Sequence, residues 1–454
     1  MTVEGELALA RRALSHLAGD QAQATVTHER SLCTRFACSA ATQATAIDDT
    51  SVELLCVLDG HTGAASTNQV DDPGLADAAR LARDAAAAAA RSGTGAYPGL
   101  PQPQPTPTHD GYDRATASLE AAVAGSALAA AFAGCRDRGL EAFGIWTAGE
   151  VTMAIASSTG IEVTDAVTDA GMTVIARDHD GRSGYAASTA VAAGAIDAAA
   201  LAAAAAARVS ADERQRLEPG EYPVVLDHAA VATLLDFLGA LAFNGLAHAE
   251  LRGALCGAIG MPVAAPCISL ADSTRGPGTL PRSFDAEGVP KRPLALIEQG
   301  IARAVVHDTR SAALADTRST GHALAPGGSP DGPEPTNLVL AGGDAATLAE
   351  LCAPIERGLF VTRLWYVNTV EPRRALLTGM TRDGTFLIED GVIGRPLHDV
   401  RFTDSALRIL AATEQLTAAQ RLVSDTDLYG RRFAKGVLCP ALRAGAFRVS
   451  GGSA

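Results

Sequence analysis

"GLFVTRLWYVNTVEPRRALLTGMTRDGTFLIEDGVIGRPLHDVRF", residues 358 to 402, is the stretch whose reading decides the fold. β-Branched and aromatic residues such as Val361, Trp365, Tyr366, Phe386 and Ile388 recur through it, and such side chains suit a pleated, half-buried surface. Arg382-Asp383-Gly384 and Glu389-Asp390-Gly391 read as hairpin turns, because Asp-Gly tolerates the positive φ a tight turn needs. Long antiparallel strands are expected here, and with them a C-terminal half dominated by sheet.

Working back from that stretch, "LVLAGG" reads as a strand and "DAATLAELCAPIE" as a helix. Two further helices are expected at His228 to Phe243 and Ala247 to Ala258, followed by a Gly/Pro/Asp-rich run from Cys267 to Pro293. The N-terminal part opens on an amphipathic helix, "MTVEGELALARRALSHLAG", then an antiparallel meander turning at Asp59-Gly60, then a helix from Gly74 to Arg91. Five prolines fall within "GTGAYPGLPQPQPTPTHDG", an extended linker by composition. The plan then repeats: a helix from Tyr112 to Arg138, strands turning at Ser158 to Gly160 and Asp180-Gly181, and an Ala-rich helix from Ala195 to Arg208. The expected divisions are 1–92, a linker 93–111, 112–216 and 217–454. The fold class is α+β: an N-terminal α/β region of antiparallel sheets and long helices, then a largely antiparallel, barrel-like β domain.

At 454 residues the chain exceeds one ordinary core. Aromatics are only 4%, so Ala, Val and Leu must fill the interior. A net charge of −14 without a basic stripe repels polyanions and argues against a nucleic-acid partner. The alanine runs "ARDAAAAAAR" and "AAGAIDAAALAAAAAARV" are cut by charge and too weakly apolar to span a membrane. Eight cysteines without a CxxC pair are no disulfide framework, and Cys33 and Cys38 are expected as strand-packing thiols. No basic-then-apolar leader opens the sequence. The expectation is a soluble, cytoplasmic protein.

The chemistry is sought first in "VVLDHAAVATLLDFLGALAFNGLAHAELRG", residues 224 to 253. His228 and His248 are twenty positions apart, about 30 Å on one helix, whereas a zinc helix places two imidazoles on adjacent turns. Asp227 is instead placed to cap a helix beginning at His228. His28-Glu29 offers no second histidine, no GxSxG elbow occurs, and "STRGPGTLPRS" lacks a phosphate-loop lysine. Cys256, Cys267, Cys352 and Cys439 could pair with a histidine, though buried inert thiols are the commoner case. In "SFDAEGVPKRPLALIEQGIARAVVHDTRSA" the residues Asp285, Glu287, Glu298 and His307 could line a polar cleft, the alternative being a solvated loop. Trp365 is a further cleft candidate, with strand core as its plainer reading.

Four segments together carry a resemblance: "SSTGIEVTDAVT", "SFDAEGVPKRPLALIEQGI", "TNLVLAGGDAATLAEL" and "IERGLFVTRLWYVNTVEPRRALLTGMTRDGTFLIEDGVIGRPLHDVRFTDS". In order and spacing the chain resembles the TldD/PmbA family, and within it the TldE (PmbA) side, over nearly its full length. The resemblance implies an N-terminal α/β region and a C-terminal antiparallel β domain. It also implies a heterodimer in which a TldD-like zinc metallopeptidase partner carries an HExxxH helix and a cysteine ligand. Here that helix reads "LLDFLGAL", placing Asp236, Phe237 and Leu241 where ligands and base would stand. Cys439 lies near the expected ligand cysteine, and one thiolate without histidines makes no tight zinc site. The implied role is a subunit with no catalytic or metal residues of its own and no cofactor bound, zinc residing in the partner, with a peptide or amide as substrate. Three alternatives stand beside it. The pair could cleave an amide in a small biosynthetic intermediate or peptide natural-product precursor, which substrate profiling would reveal. A stand-alone binding or inhibitory protein would have no zinc-motif partner, and an independent Cys or Asp hydrolase would be active alone and resist chelators.

Overall fold

The computed structural model describes residues 3–118, 121–273, 278–424 and 430–452. The N-terminal half is built on one six-stranded antiparallel sheet. Its strands are β1 (Gln21–Ala37), β2 (Ala40–Leu58), β3 (His61–Thr67), β4 (Glu141–Ser157), β5 (Glu162–Arg177) and β6 (Ser183–Ala190), in the order β3-β2-β1-β4-β5-β6. Asp59-Gly60 turns β2 into β3 with both φ positive, as Asp-Gly allows. The β1–β2 turn is Cys38-Ser39, also with both φ positive (49° and 56°). Cys38 is therefore an exposed turn residue, not the strand-packing thiol expected. β1 and β4 pair from Gln23↔Ser157 to Phe36↔Gly144. Residues on both sides of the proline-rich segment thus share one sheet, where two separate subdomains were expected.

One face of this sheet is covered by helices. α1 (Val3–Ser15) and α2 (Asp72–Ser92) cover the end near Val26, Leu54 and Ala154. α2 starts at an Asp71 cap that accepts from the Gly74 amide at 3.0 Å, and it stops at Gly93 with φ 68°. A short turn, α3 (Arg114–Ala117), precedes α4 (Ala121–Arg136), which packs with α5 (Ala198–Ala206) over Trp146, Ala148 and Met172. Alanine-rich helices can approach a sheet closely, and Gly63 shows how closely: a Cβ there would lie 2.0 Å from the Ala86 amide nitrogen of α2.

The C-terminal half adds β7 (Gly220–Leu226), β8 (Leu270–Asp272), β9 (Leu294–Glu298), β10 (Ile301–Ala302), β11 (Asn337–Leu340) and β12 (Arg357–Glu371). β13 (Leu376–Glu389), β14 (Val392–Pro396), β15 (Val400–Ser405), β16 (Thr413–Val423) and β17 (Gly436–Gly452) complete its eleven-stranded sheet. Strands β7, β12, β13, β15 and β17 pair in sequence, and β17 pairs again with β7, which closes a ring. Most pairs are antiparallel; β7–β12 and β11–β17 run parallel. The barrel-like expectation therefore holds. Helix α6 (His228–Leu241) buries Val231, Leu234, Leu235 and Leu238 in the core it shares with β12 and β17. Only Gly245–Ala249 forms the next helix, α7, because Leu251 and Gly257 take positive φ and end the helical run expected to Ala258.

Two turn expectations divide. Glu389-Asp390-Gly391 is the β13–β14 hairpin, with Asp390 and Gly391 at positive φ. Arg382-Asp383-Gly384 lies inside β13, where a register shift opposite Thr362 makes it a bulge. The chain actually reverses between β12 and β13 at Pro372–Arg374. Gly384 is required at the bulge: its φ is 125°, and a Cβ would meet Thr362 Oγ1 at 2.5 Å.

The uncovered face of the first sheet meets the C-terminal half through Val151 and Val167 against Leu280 and Ala434, and Ile155 and Ile161 against Phe284. The proline-rich segment is fastened to strands of the first sheet. Leu100 N donates to Gln21 Oε1 at 2.6 Å, and His109 Nε2 lies 2.8 Å from Asp165 Oδ1. Among the described residues no helix is long and apolar enough to cross a membrane.

Candidate functional site

A cleft opens where the ends of β1, β4 and β5 overhang helix α6. Its inner lobe, about 600 Å³, is lined by Arg35, Phe36 and Tyr185 from the first sheet, and by Trp365 and Lys435 opposite. The α6 face turned into it presents Ala229, Ala232, Thr233, Asp236 and Phe237. These positions recur at three- and four-residue spacing, so the first side of the helix faces the cleft while its leucines face the core. Leu241 is not among the lining residues; it packs on the core. Of the three positions in the sequence placement, Asp236 and Phe237 line the cleft and Leu241 does not.

Whether this site suits zinc follows from its donors. Neither a methyl group nor a phenyl ring is a ligand. Asp236 is held by Lys435 Nζ at 3.1 Å. Cys439 is fully buried beneath α6, its Sγ donating to the His228 carbonyl at 3.4 Å, and burial foremost pushes its thiol well above the ordinary range. A thiol buried in this way is no free nucleophile, and a single thiol without imidazoles beside it makes no tight zinc site. Among the described residues no three His, Cys, Asp or Glu side chains are grouped to hold a metal. The residues do not fit a zinc centre.

The start of α6 is nonetheless electrostatically rigid. Asp227 Oδ1 accepts from the His228 amide at 2.8 Å and meets His228 Nδ1 at 2.7 Å, while Oδ2 pairs with Arg208. Burial raises the Asp227 pKa, and His228 and Arg208 outweigh that, leaving it near 2.

The other sequence candidates scatter. Asp285 and Glu287 come together, yet in the buried junction of the two halves and not in the cleft, while His307 is buried separately beside Ser311 and Gly245. Asp285 Oδ1 accepts from the Glu287 and Val289 amides, each at 2.9 Å, and Oδ2 from Ala323 N at 2.9 Å. Glu287 accepts from Tyr97 Oη at 2.9 Å and from Thr309 N at 2.9 Å. Tyr97 belongs to the proline-rich segment, so this carboxylate ties that segment to the C-terminal half. Burial, then Asp285, pushes Glu287 up to about 8. His307 Nδ1 lies 3.2 Å from Ser311 Oγ, and burial foremost lowers its pKa. Glu298 stands apart at the surface, paired with Arg303 at 2.9 Å. Trp365 alone of the six lines the cleft.

Sequence reasoning missed the arginines. Arg363 lies over the rings of Tyr185 (4.4 Å) and Trp365 (4.7 Å) and pairs with Asp383 of the bulge. Ser183 Oγ donates to the same Asp383 at 2.6 Å, which ties the first sheet to β13. Arg382 stands directly across the ladder from Arg363. No local signal announced them: Arg382 stands in a run read as a hairpin turn, and it faces Arg363 only through the β12–β13 register.

With this geometry in view, the comparisons place the chain. Residues 219–451, which are 233 of 454, match the family model described as the PmbA/TldA metallopeptidase C-terminal domain. No curated protein matches the chain. Among solved structures it is similar to TldE from Thermococcus kodakarensis, at 18% identity over 99% of this chain and 100% of that one, TM-score 0.84. It is similar also to a proposed DNA-gyrase modulator from Thermotoga maritima, at 18% identity over 95% and 96%, TM-score 0.81. A third, a proposed DNA-gyrase modulator from Bacteroides thetaiotaomicron, is 17% identical over 98% of each chain, TM-score 0.79. At these identities the solved structures speak for the fold, and the family match speaks for descent: the chain belongs to the TldD/PmbA family.

Proposed function

We propose that this protein is the metal-free, TldE-like subunit of a heterodimeric zinc peptidase, shaping a chamber while a TldD-like partner supplies the metal and the base. One observation carries the reading. The helix that floors the cleft turns Ala229, Ala232, Thr233, Asp236 and Phe237 toward it, and this set holds no imidazole, whereas a hydrolytic zinc helix presents two. What the cleft keeps is the means to hold a substrate: an aromatic wall, arginines, and strands of two sheets at its rim. All eight cysteines are free thiols, which suits the reducing cytosol where we place the pair.

Co-expression with an HExxxH relative tests this. The two chains are expected to co-purify, and peptide hydrolysis is expected only when both are present. A partner fully active without this chain would overturn the proposal. So would hydrolysis by this chain alone that persists in chelator.

A further inference from the structure

The cleft has an outer lobe of about 350 Å³ that shares Ile175, Arg363 and Trp365 with the inner one. Six arginines line it, at 177, 182, 208, 214, 363 and 382, against two carboxylates, Asp383 and Asp399. This concentration stands out on a chain of net charge −14. Three of the six are neutralised: Arg182 by Asp178 and Asp180, Arg208 by Asp227, and Arg363 by Asp383. Among the described residues Arg177, Arg214 and Arg382 have no carboxylate within 4 Å, and Arg382 and Arg214 act on Asp399 from farther off. Arg177 and Arg382 instead lie over aromatic rings, 5.8 Å from the Phe143 centroid and 5.6 Å from that of Trp365. A guanidinium stacked this way keeps its N–H edges free for a planar anion.

Folding gives no reason for this arrangement. Like charges directly opposite on paired strands destabilise a sheet, yet Arg363 and Arg382 are such a pair. The bulge residue Asp383 pairs with Arg363, and Asp399 lies within electrostatic range of both. Burial and Asp383 push Asp399 up to about 6 despite the arginines around it. With Arg182, Arg208 and Arg363 paired, Asp399 is the one lining carboxylate left against Arg177, Arg214 and Arg382, so the lobe carries cations beyond what its own carboxylates balance.

We infer that this outer lobe is a carboxylate-binding subsite, holding an acidic side chain or the free C-terminus of an extended peptide whose neighbouring residues lie along Trp365. Carboxylate fits better than phosphate, because Asp383 and Asp399 in the wall would repel a dianion. This deepens the proposed function by naming the substrate class. Binding, however, is read on this chain alone, so its failure is separate from failure of the partner reading.

The experiment titrates the purified chain with the pentapeptide Ala-Ala-Ala-Glu-Glu, by calorimetry and by fluorescence. Trp146 is fully buried, so Trp365 supplies the responsive signal. Two modified peptides, one C-terminally amidated and one with Gln for both Glu, distinguish the source of the carboxylate. Saturable binding is expected, weakened roughly tenfold or more by removing the carboxylate that is recognised. The double variant Arg214→Gln/Arg382→Gln should weaken it at least as much, while Arg395→Gln, paired with Glu389 outside the lobe, should not. Circular dichroism confirms that the double variant is folded. The inference is overturned if no saturable binding occurs, if neither peptide modification matters, if the folded double variant binds normally, or if inorganic phosphate binds more tightly than the peptide.

Discussion

Replacing Asp227 by Asn should cost about 2 kcal/mol at neutral pH, a magnitude that can be worked from its surroundings. The side chain is 4% exposed as a residue, and its charge is held by His228 and Arg208 against the penalty of burial. The fall of its pKa from the ordinary 3.8 to about 2, at about 1.4 kcal/mol per pH unit, gives about 2 kcal/mol. Because the folded value is the lower one, this stability is present above about pH 4 and lost as pH falls through 2. About half should remain at pH 3. Asn keeps an oxygen for the His228 amide but not the charge facing Arg208. Ala also removes the cap and should cost about 3–4 kcal/mol. Urea unfolding of native and variant chains at pH 7 and pH 3 measures both gaps. The reasoning is refuted if the Asn variant is within about 0.5 kcal/mol of the native chain at pH 7, or if the gap does not narrow at pH 3.

Further outcomes follow from the same contacts. Glu287→Gln removes a group whose folded pKa is raised to about 8. The native chain's advantage from it is present below about 4.5 and lost as pH rises through 8, so melting temperatures of the two chains should converge between pH 5 and 8.5. Parallel curves would contradict the burial assigned to this carboxyl. Arg432 is 2% exposed and binds Asp169 through Nε (2.8 Å) and Nη2 (2.7 Å), with Nη1 donating to Thr147 Oγ1 at 2.9 Å. Arg432→Met should therefore cost about 3–5 kcal/mol in urea unfolding, much of it regained when Asp169→Leu is added; a single variant as stable as the native chain would speak against this junction. Gly63→Ala drives a methyl into the α2 backbone and should cost at least about 1–3 kcal/mol, read as a lowered melting temperature. An unchanged melt would mean that α2 sits farther from β3.

The fold was legible where local chemistry and long-range packing agree. Asp59-Gly60 and Asp390-Gly391 take the positive φ their residues favour, and each turns a hairpin. Arg382-Asp383-Gly384 carries the same signal, but its φ values serve a bulge, and only the partner strand decides which. The Cys38-Ser39 turn has no Gly or Asn to announce it and is enforced by the long β1–β2 ladder. Proline content marked 93–111 as extended, while the contacts of Tyr97 and His109 that fasten it lie far off in sequence. Glu287 and Asp285 looked like cleft acids because burial depends on the whole fold. The arginine lobe was invisible for the same reason: positions 177, 214 and 382 meet only when both sheets are assembled.

The most direct test of the account is the zinc content of the purified chain, alone and joined to a TldD-like partner. The lone chain should contain far less than one zinc, and the pair one zinc, removed by alanine in the partner's HExxxH histidines but kept in Asp236→Ala of this chain. Stoichiometric zinc in the lone chain, lost on changing Asp236 or Cys439, would contradict it.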